Sequence, residues 1–285
     1  MKVAAVQFEH RADNKQYNLG RVGHFAGRAA AAGARLVVCP EMCLTGYWHL
    51  RRLDAEVLRG LAEPADGPSV SAVRLLARRL GAGVGAGFLE SADGRLFNSY
   101  AVCLPDGTVH IHRKLHSFEH QAISSGDRYT VFDTPWGART AILTCWDNNL
   151  IENVRACALA GASVLIAPHQ TGGSASRSPH GMHPIPMACW DNRHTDPAAI
   201  EREFRGPNGR GWLMCAGSRP APTTTACSSS SATESAAMTT KSAPATPWCS
   251  TPTAGSSPKR GRPRTRSSSP TSTSGWSRCP PDDAG

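Results

Sequence analysis

Up to about Leu213 the chain alternates between a strand-like and a helix-like hydrophobic period. Lys2–Phe8 (KVAAVQF) alternates like a strand, and Tyr17–Ala32 is an alanine-rich helical stretch. Arg35–Cys39 is a short apolar strand that stops at Pro40. Ser69–Leu80 reads as a helix with arginines on its outer face, followed by a strand over Ala82–Leu89. Asn98–Leu104 and Thr108–Arg113 flank Pro105-Asp106-Gly107, a turn signal of the hairpin type. Ala138–Thr144 and Ala162–Ala167 look like buried strands with a helix, Leu150–Ala160, between them, and a further helix is expected over Pro197–Phe204. Strands alternating with helices predict α/β layering.

After Cys215 this pattern stops. Arg219–Gly285 is dominated by Ser, Thr, Pro and Ala, and runs such as TTTACSSSSATES cannot bury enough apolar surface to offset chain entropy. One reading is a disordered, basic, Ser/Thr/Pro-rich tail. The sharper reading is a frameshift. A Ser codon TCN read one frame over becomes NTC, which encodes Phe, Leu, Ile or Val; a Thr codon ACN becomes NAC, which encodes Tyr, His, Asn or Asp. Ala221–Ser231 (APTTTACSSSS) can thereby shift to Ala-His-Asp-Asn-Gly-Leu-Phe-Leu-Val-Phe, a buried-strand sequence behind a turn signal. The expected organisation is therefore a domain over 1–215 and an aberrant, low-complexity, basic and disordered tail over 216–285.

Charge changes meaning once it is divided the same way. The chain carries a formal net charge of +9, yet residues 216–285 hold 8 of its 31 Lys/Arg and only 3 of its 22 Asp/Glu. The body is close to neutral and shows no basic stripe, which speaks against nucleic acid as a partner. The basic run KRGRPRTR at 259–266 is accounted for by the shifted frame. With 285 residues, 40% apolar and 19% charged, the composition fits a soluble protein with a substantial core. No apolar run reaches the roughly 18 residues of a membrane span, and Glu9 and Asp13 interrupt any signal-peptide pattern. The expected location is cytoplasmic, where the ten cysteines stay reduced. Cys39 and Cys43 lack a second pair that would complete a zinc site.

Three positions carry candidate chemistry. Arg139–Asn149 (RTAILTCWDNN) delivers Cys145 to a strand end where the chain turns into a helix, near N–H groups that favour a thiolate and can stabilise an oxyanion. Spacing alone leaves a buried structural cysteine equally open. Glu41 ends the strand before it, beside Met42, Leu44 and Tyr47; partial desolvation there would raise its pKa and make it a proton acceptor, while a solvated turn glutamate is the plain alternative. Lys114, in HIHRKLH, could set an ammonium beside developing negative charge, or simply face solvent. His110 and His112 share a strand face, but no carboxylate or Cys stands at ligand spacing, so no metal is expected.

Together KVAAVQF, CPEMCLTGY, HRKLH and ILTCWDNN resemble the Glu, Lys and Cys blocks of the nitrilase (carbon–nitrogen hydrolase) superfamily, in the family's chain order, over roughly residues 1–215. The resemblance implies a four-layer αββα sandwich, incomplete at the C-terminus of this chain, and a Glu–Lys–Cys triad with no metal or organic cofactor. It assigns Glu41 as general base, Cys145 as nucleophile and Lys114 as stabiliser of the tetrahedral intermediate. The Trp146 N–H would join the oxyanion hole, and Glu119 would be a supporting glutamate. Tyr47, Trp48, His169, Gln170 and the Pro-rich loop Ser174–Trp190 lie where the family builds its substrate pocket. The implied reaction is cleavage of a non-peptide carbon–nitrogen bond in a small amide, carbamoyl amine or nitrile through a Cys145 thioester. Acyl transfer to another acceptor and an inactive truncated homologue are the alternatives. The resemblance further implies a homo-oligomer where the C-terminus is intact.

Overall fold

The computed structural model describes residues 1–170, 187–192, 194–205, 224–226 and 238–242. The chain divides into two units, Met1–Pro244 and Ala245–Gly285, and every described residue belongs to the first. Its elements in chain order are β1 (Lys2–Val6), α1 (Lys15–Ala31), β2 (Leu36–Val38), α2 (Ala55–Leu61), α3 (Pro68–Leu80), β3 (Gly83–Ala92), β4 (Arg95–Cys103), β5 (Val109–Arg113), β6 (Ile123–Ser124), β7 (Thr130–Asp133), β8 (Arg139–Ile142), α4 (Ile151–Leu159), β9 (Val164–Pro168), α5 (Met187–Asp191), α6 (Pro197–Arg205), β10 (Thr224–Ala226) and β11 (Met238–Ser242). Short 3-10 turns occupy Leu50–Arg52 and Cys145–Asn149.

The strands form two sheets. The first runs β11-β1-β2-β3-β4-β5, with β6 also paired to β4; the second runs β10-β9-β8-β7. The period of two along each strand decides which layer a side chain joins. Ala4, Val37, Ala101 and Cys103 point outward to α1 and α3, where they meet Val22, Phe25, Ala29, Val70, Val73 and Ala77. Their neighbours Val3, Leu36, Val38, Tyr100 and Val102 point inward and pack against Phe132, Ile142 and Ile166 of the second sheet. On the far face of that sheet, Ala141, Leu143 and Leu165 meet Cys157 of α4. Helices, sheet, sheet and helix give the four-layer αββα order. Leu36 is fully buried between the sheets; truncating it to Ala would cost about 2–5 kcal/mol in lost burial and cavity.

Local chemistry sets the helix ends. The Asn14 side chain accepts the Tyr17 N–H to cap α1. Pro68 opens α3 at a position whose N–H has no intrahelical acceptor, and Gly81 closes it in the left-handed region at φ 61°.

Sequence periodicity locates most elements but shortens the central hairpin. β3 runs on to Ala92 and β4 begins at Arg95, joined by Asp93 and Gly94, both at positive φ. Two such residues make the tight hairpin turn for which Asp-Gly is suited. Polar Glu90 and Ser91 hid this extension, yet Glu90 is buried against Arg113, which donates to it at 3.0 and 2.6 Å. α2, β6 and β7 were not anticipated.

The end expected at residue 215 falls inside the first unit. β10 pairs in parallel with β9 (Thr224 opposite Ile166), and β11 pairs antiparallel with β1 (Lys2 opposite Ser242). Ladder bonds use main-chain N–H and C=O groups, which Thr and Ser carry like any residue, and branched Thr suits a strand. Polar composition argues against core burial and not against pairing. The rest of 216–285 lies outside the described residues.

Candidate active site

Glu41 begins the turn that follows β2, and it is fully buried, beyond the partial desolvation expected of a strand end. Neighbouring elements fix this turn. The Leu44 N–H donates to the Gly87 carbonyl at 2.9 Å, the Asn18 side chain donates to the Leu44 carbonyl at 2.9 Å, and the Leu89 N–H donates to Thr45 Oγ1 at 3.0 Å. Gly87 is required by close approach: a Cβ there would stand 2.2 Å from the Met42 nitrogen and 3.0 Å from Glu41 Cα. Met42 itself is left-handed, at φ 51°.

Lys114 follows β5. Its N–H donates to the Asn98 carbonyl at 2.8 Å, and its carbonyl accepts the Gly126 N–H at 2.8 Å. Its ammonium donates to Glu41 Oε1 at 2.9 Å and to Glu119 Oε1, with all three side chains fully shielded from solvent. Asn98 Nδ2 donates to the same two oxygens, at 2.7 Å to Glu41 and 2.8 Å to Glu119. The Gln170 N–H completes Glu41 at Oε2, and the Phe118 N–H completes Glu119 at Oε2, both at 3.0 Å.

Cys145 arrives from β8. The strand ends at Ile142, and Cys145 opens a 3-10 turn, not an α-helix, with α4 following. It is left-handed at φ 52°, a conformation costing a β-carbon residue roughly 1–3 kcal/mol and held only where surroundings over-determine it. Asp147 supplies that restraint. Its carboxylate accepts the N–H groups of Thr144 (3.3 Å), Leu115 (3.0 Å) and His116 (2.8 Å), and His112 Nε2 lies 3.3 Å away. Trp146 is the second residue of the turn, where a helical N–H has no intrahelical acceptor. Its side chain is 46% exposed and meets Phe118 edge-on. The Phe118 ring lies 4.5 Å from the Lys114 ammonium.

Burial pushes the Glu41 carboxyl up from its ordinary range, and Lys114 pulls it partway back. Burial alone would lower Lys114, but Glu41 foremost, then Cys145, Glu119 and Tyr47, hold it well above the usual lysine value, so it stays an ammonium. Burial and then Glu41 drive the Cys145 thiol well up, against Lys114. Burial and Glu41 thus push the Cys145 thiol toward its protonated form, against the thiolate that local N–H groups favour. That arrangement suits proton transfer concerted with attack.

The other expected residues divide by position. Tyr47 is buried, its phenol raised by burial and then by Glu41, and it packs edge-on against Trp48 at 4.9 Å. Trp48 Nε1 is buried with no partner among the described residues. His169 is buried and held down at about 4 by burial and then by Lys114. Gln170 meets Glu41 through its main chain. Residues 171–186, which hold most of the Ser174–Trp190 loop, lie outside the described residues. His110 stacks on Phe132 at 3.9 Å while His112 faces Asp147, and among the described residues no group of three or more His, Cys, Asp and Glu is placed to hold a metal ion. Asn98, Asp147 and Gly87 were missed. Their available signals were an Asn in the largely apolar LFNSYAVC, an Asp two residues after Cys145, and a Gly near the centre of a strand.

The sequence and the fold have counterparts. A family model described as carbon-nitrogen hydrolase matches residues 2–192. An (R)-stereoselective amidase from a Pseudomonas species is 34% identical over 169 residues, 58% of this chain and 59% of that protein. An omega-amidase from Danio rerio is 29% identical over 180 residues, 59% of this chain and 62% of that protein. The chain thus spans less than two thirds of these curated relatives. Among solved structures, an amidase from Nesterenkonia sp. AN1 shares the fold with a TM-score of 0.52 at 24% identity, covering 61% of this chain and 68% of that one. With its matched region covering most of the sequence, the chain belongs to the carbon-nitrogen hydrolase family.

Proposed function

We propose that this protein hydrolyses a non-peptide carbon–nitrogen bond of a small amide through a thioester on Cys145. The observation that carries this reading is the buried contact of Glu41 with the Lys114 ammonium, at 2.9 Å, with Cys145 near enough for both to act on its thiol. Glu41 takes the thiol proton as sulfur attacks the carbonyl carbon, and the carbonyl electron pair moves onto oxygen. Lys114 and the Trp146 N–H hold that oxyanion. The carbon–nitrogen bond then breaks, Glu41 returns the proton to the departing nitrogen, and a thioester remains. Water attacks the thioester, giving its proton to Glu41, and the acid leaves as the sulfur is reprotonated. Glu119, held by three donors, sets a second carboxyl group beside Lys114.

The relatives named above are amidases, and one solved structure of the Nesterenkonia protein shows Michael addition of acrylamide at its active site cysteine. This supports an amide in place of a nitrile or carbamoyl amine. A panel of short aliphatic amides, assayed for ammonia release with and without hydroxylamine, tests the reading. Ammonia with free acid supports hydrolysis, dominant hydroxamate supports acyl transfer, and no turnover of any amide overturns the proposal.

We also place the protein in the cytoplasm, supported by free thiols at Cys39, Cys43, Cys103, Cys145, Cys157 and Cys189. No helix among the described residues is long and apolar enough to cross a membrane. A homo-oligomer is supported by Ile151 and Leu159 of α4, exposed 76% and 77%; sedimentation would detect it. The frameshift reading of 216–285 rests on the codon argument, and sequencing the gene across codons 210–225 tests it. A one- or two-base discrepancy supports it and an unchanged frame overturns it. An inactive chain whose repaired frame is active would assign the loss to the tail and leave the chemistry standing.

A further inference from the structure

Two carboxyl groups and one ammonium meet with their side chains shielded from solvent, so one cation stands between two acceptors. Something besides Lys114 must satisfy their remaining hydrogen-bonding capacity, because a buried polar group left unpaired is costly. Asn98 is the group placed to do it. It sits on β4 with no solvent exposure, and its two amide hydrogens go to different carboxylates, Glu41 Oε1 at 2.7 Å and Glu119 Oε1 at 2.8 Å. With carboxylate oxygens on both sides, only the NH2 orientation of the amide is compatible. Its Oδ1 is buried without a partner among the described residues. The side chain therefore spends its bonds on the site and none on the scaffold, the opposite of a structural asparagine. The Asn98 main-chain carbonyl also accepts the Lys114 N–H at 2.8 Å.

We propose that Asn98 is the positioning residue of this site, aiming Glu41 and Glu119 at a single ammonium through its amide and setting the Lys114 main chain through its main-chain carbonyl. The inference rests on reading Glu41 and Cys145 as base and nucleophile. Lys114, Glu119, Cys145 and Tyr47 are the charged or titratable groups that face Glu41, and His169 faces Lys114. None of them replaces the amide if it is removed. Losing its donors disfavours the ionised carboxylate, so the first proton leaves the Glu41–Cys145 pair at higher pH.

The test uses the full chain and Asn98→Leu, which keeps the branching and removes the donors, with Asn98→Asp as a shape-matched second variant. Two readouts are taken against pH: amide hydrolysis, and alkylation of Cys145 by iodoacetamide followed by peptide mass spectrometry. Asn98→Leu should lower kcat roughly tenfold to a hundredfold with a smaller change in KM. The acid limb of both profiles should move up by about one pH unit. Asn98→Asp should move the limb in the same direction and carries the test if the leucine variant does not fold. A lost fold alone would lower activity without moving the limb. Parental pH profiles in a folded variant would overturn the role of Asn98. Alkylation needs no turnover, so a parent chain that alkylates with the expected profile but hydrolyses no amide would sink the hydrolase reading and leave this one tested.

Discussion

The Asp147 carboxylate accepts the His116 N–H at 2.8 Å, tying the turn that presents Cys145 to the loop that presents Lys114. Its second oxygen takes the Leu115 and Thr144 N–H groups. Asp147→Asn keeps the shape but turns an NH2 toward main-chain donors. Because about 1 Å of misplacement can cost a hundredfold in rate, kcat/KM should fall roughly tenfold to a hundredfold. A loss of about 1–3 kcal/mol in stability should accompany it. Steady-state kinetics and thermal unfolding check this, and parental values for both would remove Asp147 from the account.

Gly87→Ala probes the turn of Glu41 from the other sheet strand. The added Cβ would lie 2.2 Å from the Met42 nitrogen, against backbone that has no side chain to swing aside. Glu41 must move, so activity should drop at least tenfold, with overpacking costing about 1–3 kcal/mol. Gly81→Ala, with open space around its Cβ, is the control for a left-handed glycine remote from the site and should leave kcat unchanged.

Stability should fall on acidification for a traceable reason. His10 and His169 are both held down at about 4 by burial. Each stays neutral when folded while the unfolded chain takes up a proton near pH 6.5. Their contribution is therefore complete above about pH 6.5 and is lost as pH falls toward about 4, of order 3 kcal/mol for each histidine. Glu41, raised in the fold, works in the opposite sense and favours the folded state at low pH. Unfolding by urea at pH 7, 5.5 and 4.5 should show the decline, and His10→Gln should flatten it. An unchanged slope in that variant would reject the assignment.

The layers were legible in the sequence because a period of two and a period near 3.6 are direct consequences of which faces are buried. Val37 and Val38 read as strand for the same reason that they end in different cores. The candidate nucleophile, base and ammonium were legible because each sits at a strand end beside a turn. Burial of Glu41 was underestimated, since its turn is fixed by Gly87 and Asn18, far away in sequence. Asn98 and Asp147 escaped because their roles are hydrogen bonds to residues dozens of positions distant. For Cys145, local N–H groups favour a thiolate while burial and Glu41, both tertiary, push the thiol the other way. β10 and β11 escaped because pairing leaves no trace in composition.

One measurement reaches the central assignment directly: rapid quench of the full chain with a short amide substrate, followed by peptide mass mapping of all ten cysteines. An acyl group on Cys145 alone, formed before free acid appears and absent in Cys145→Ala, is the predicted result. Undiminished turnover by Cys145→Ala, or acyl transfer to a different residue, would contradict it.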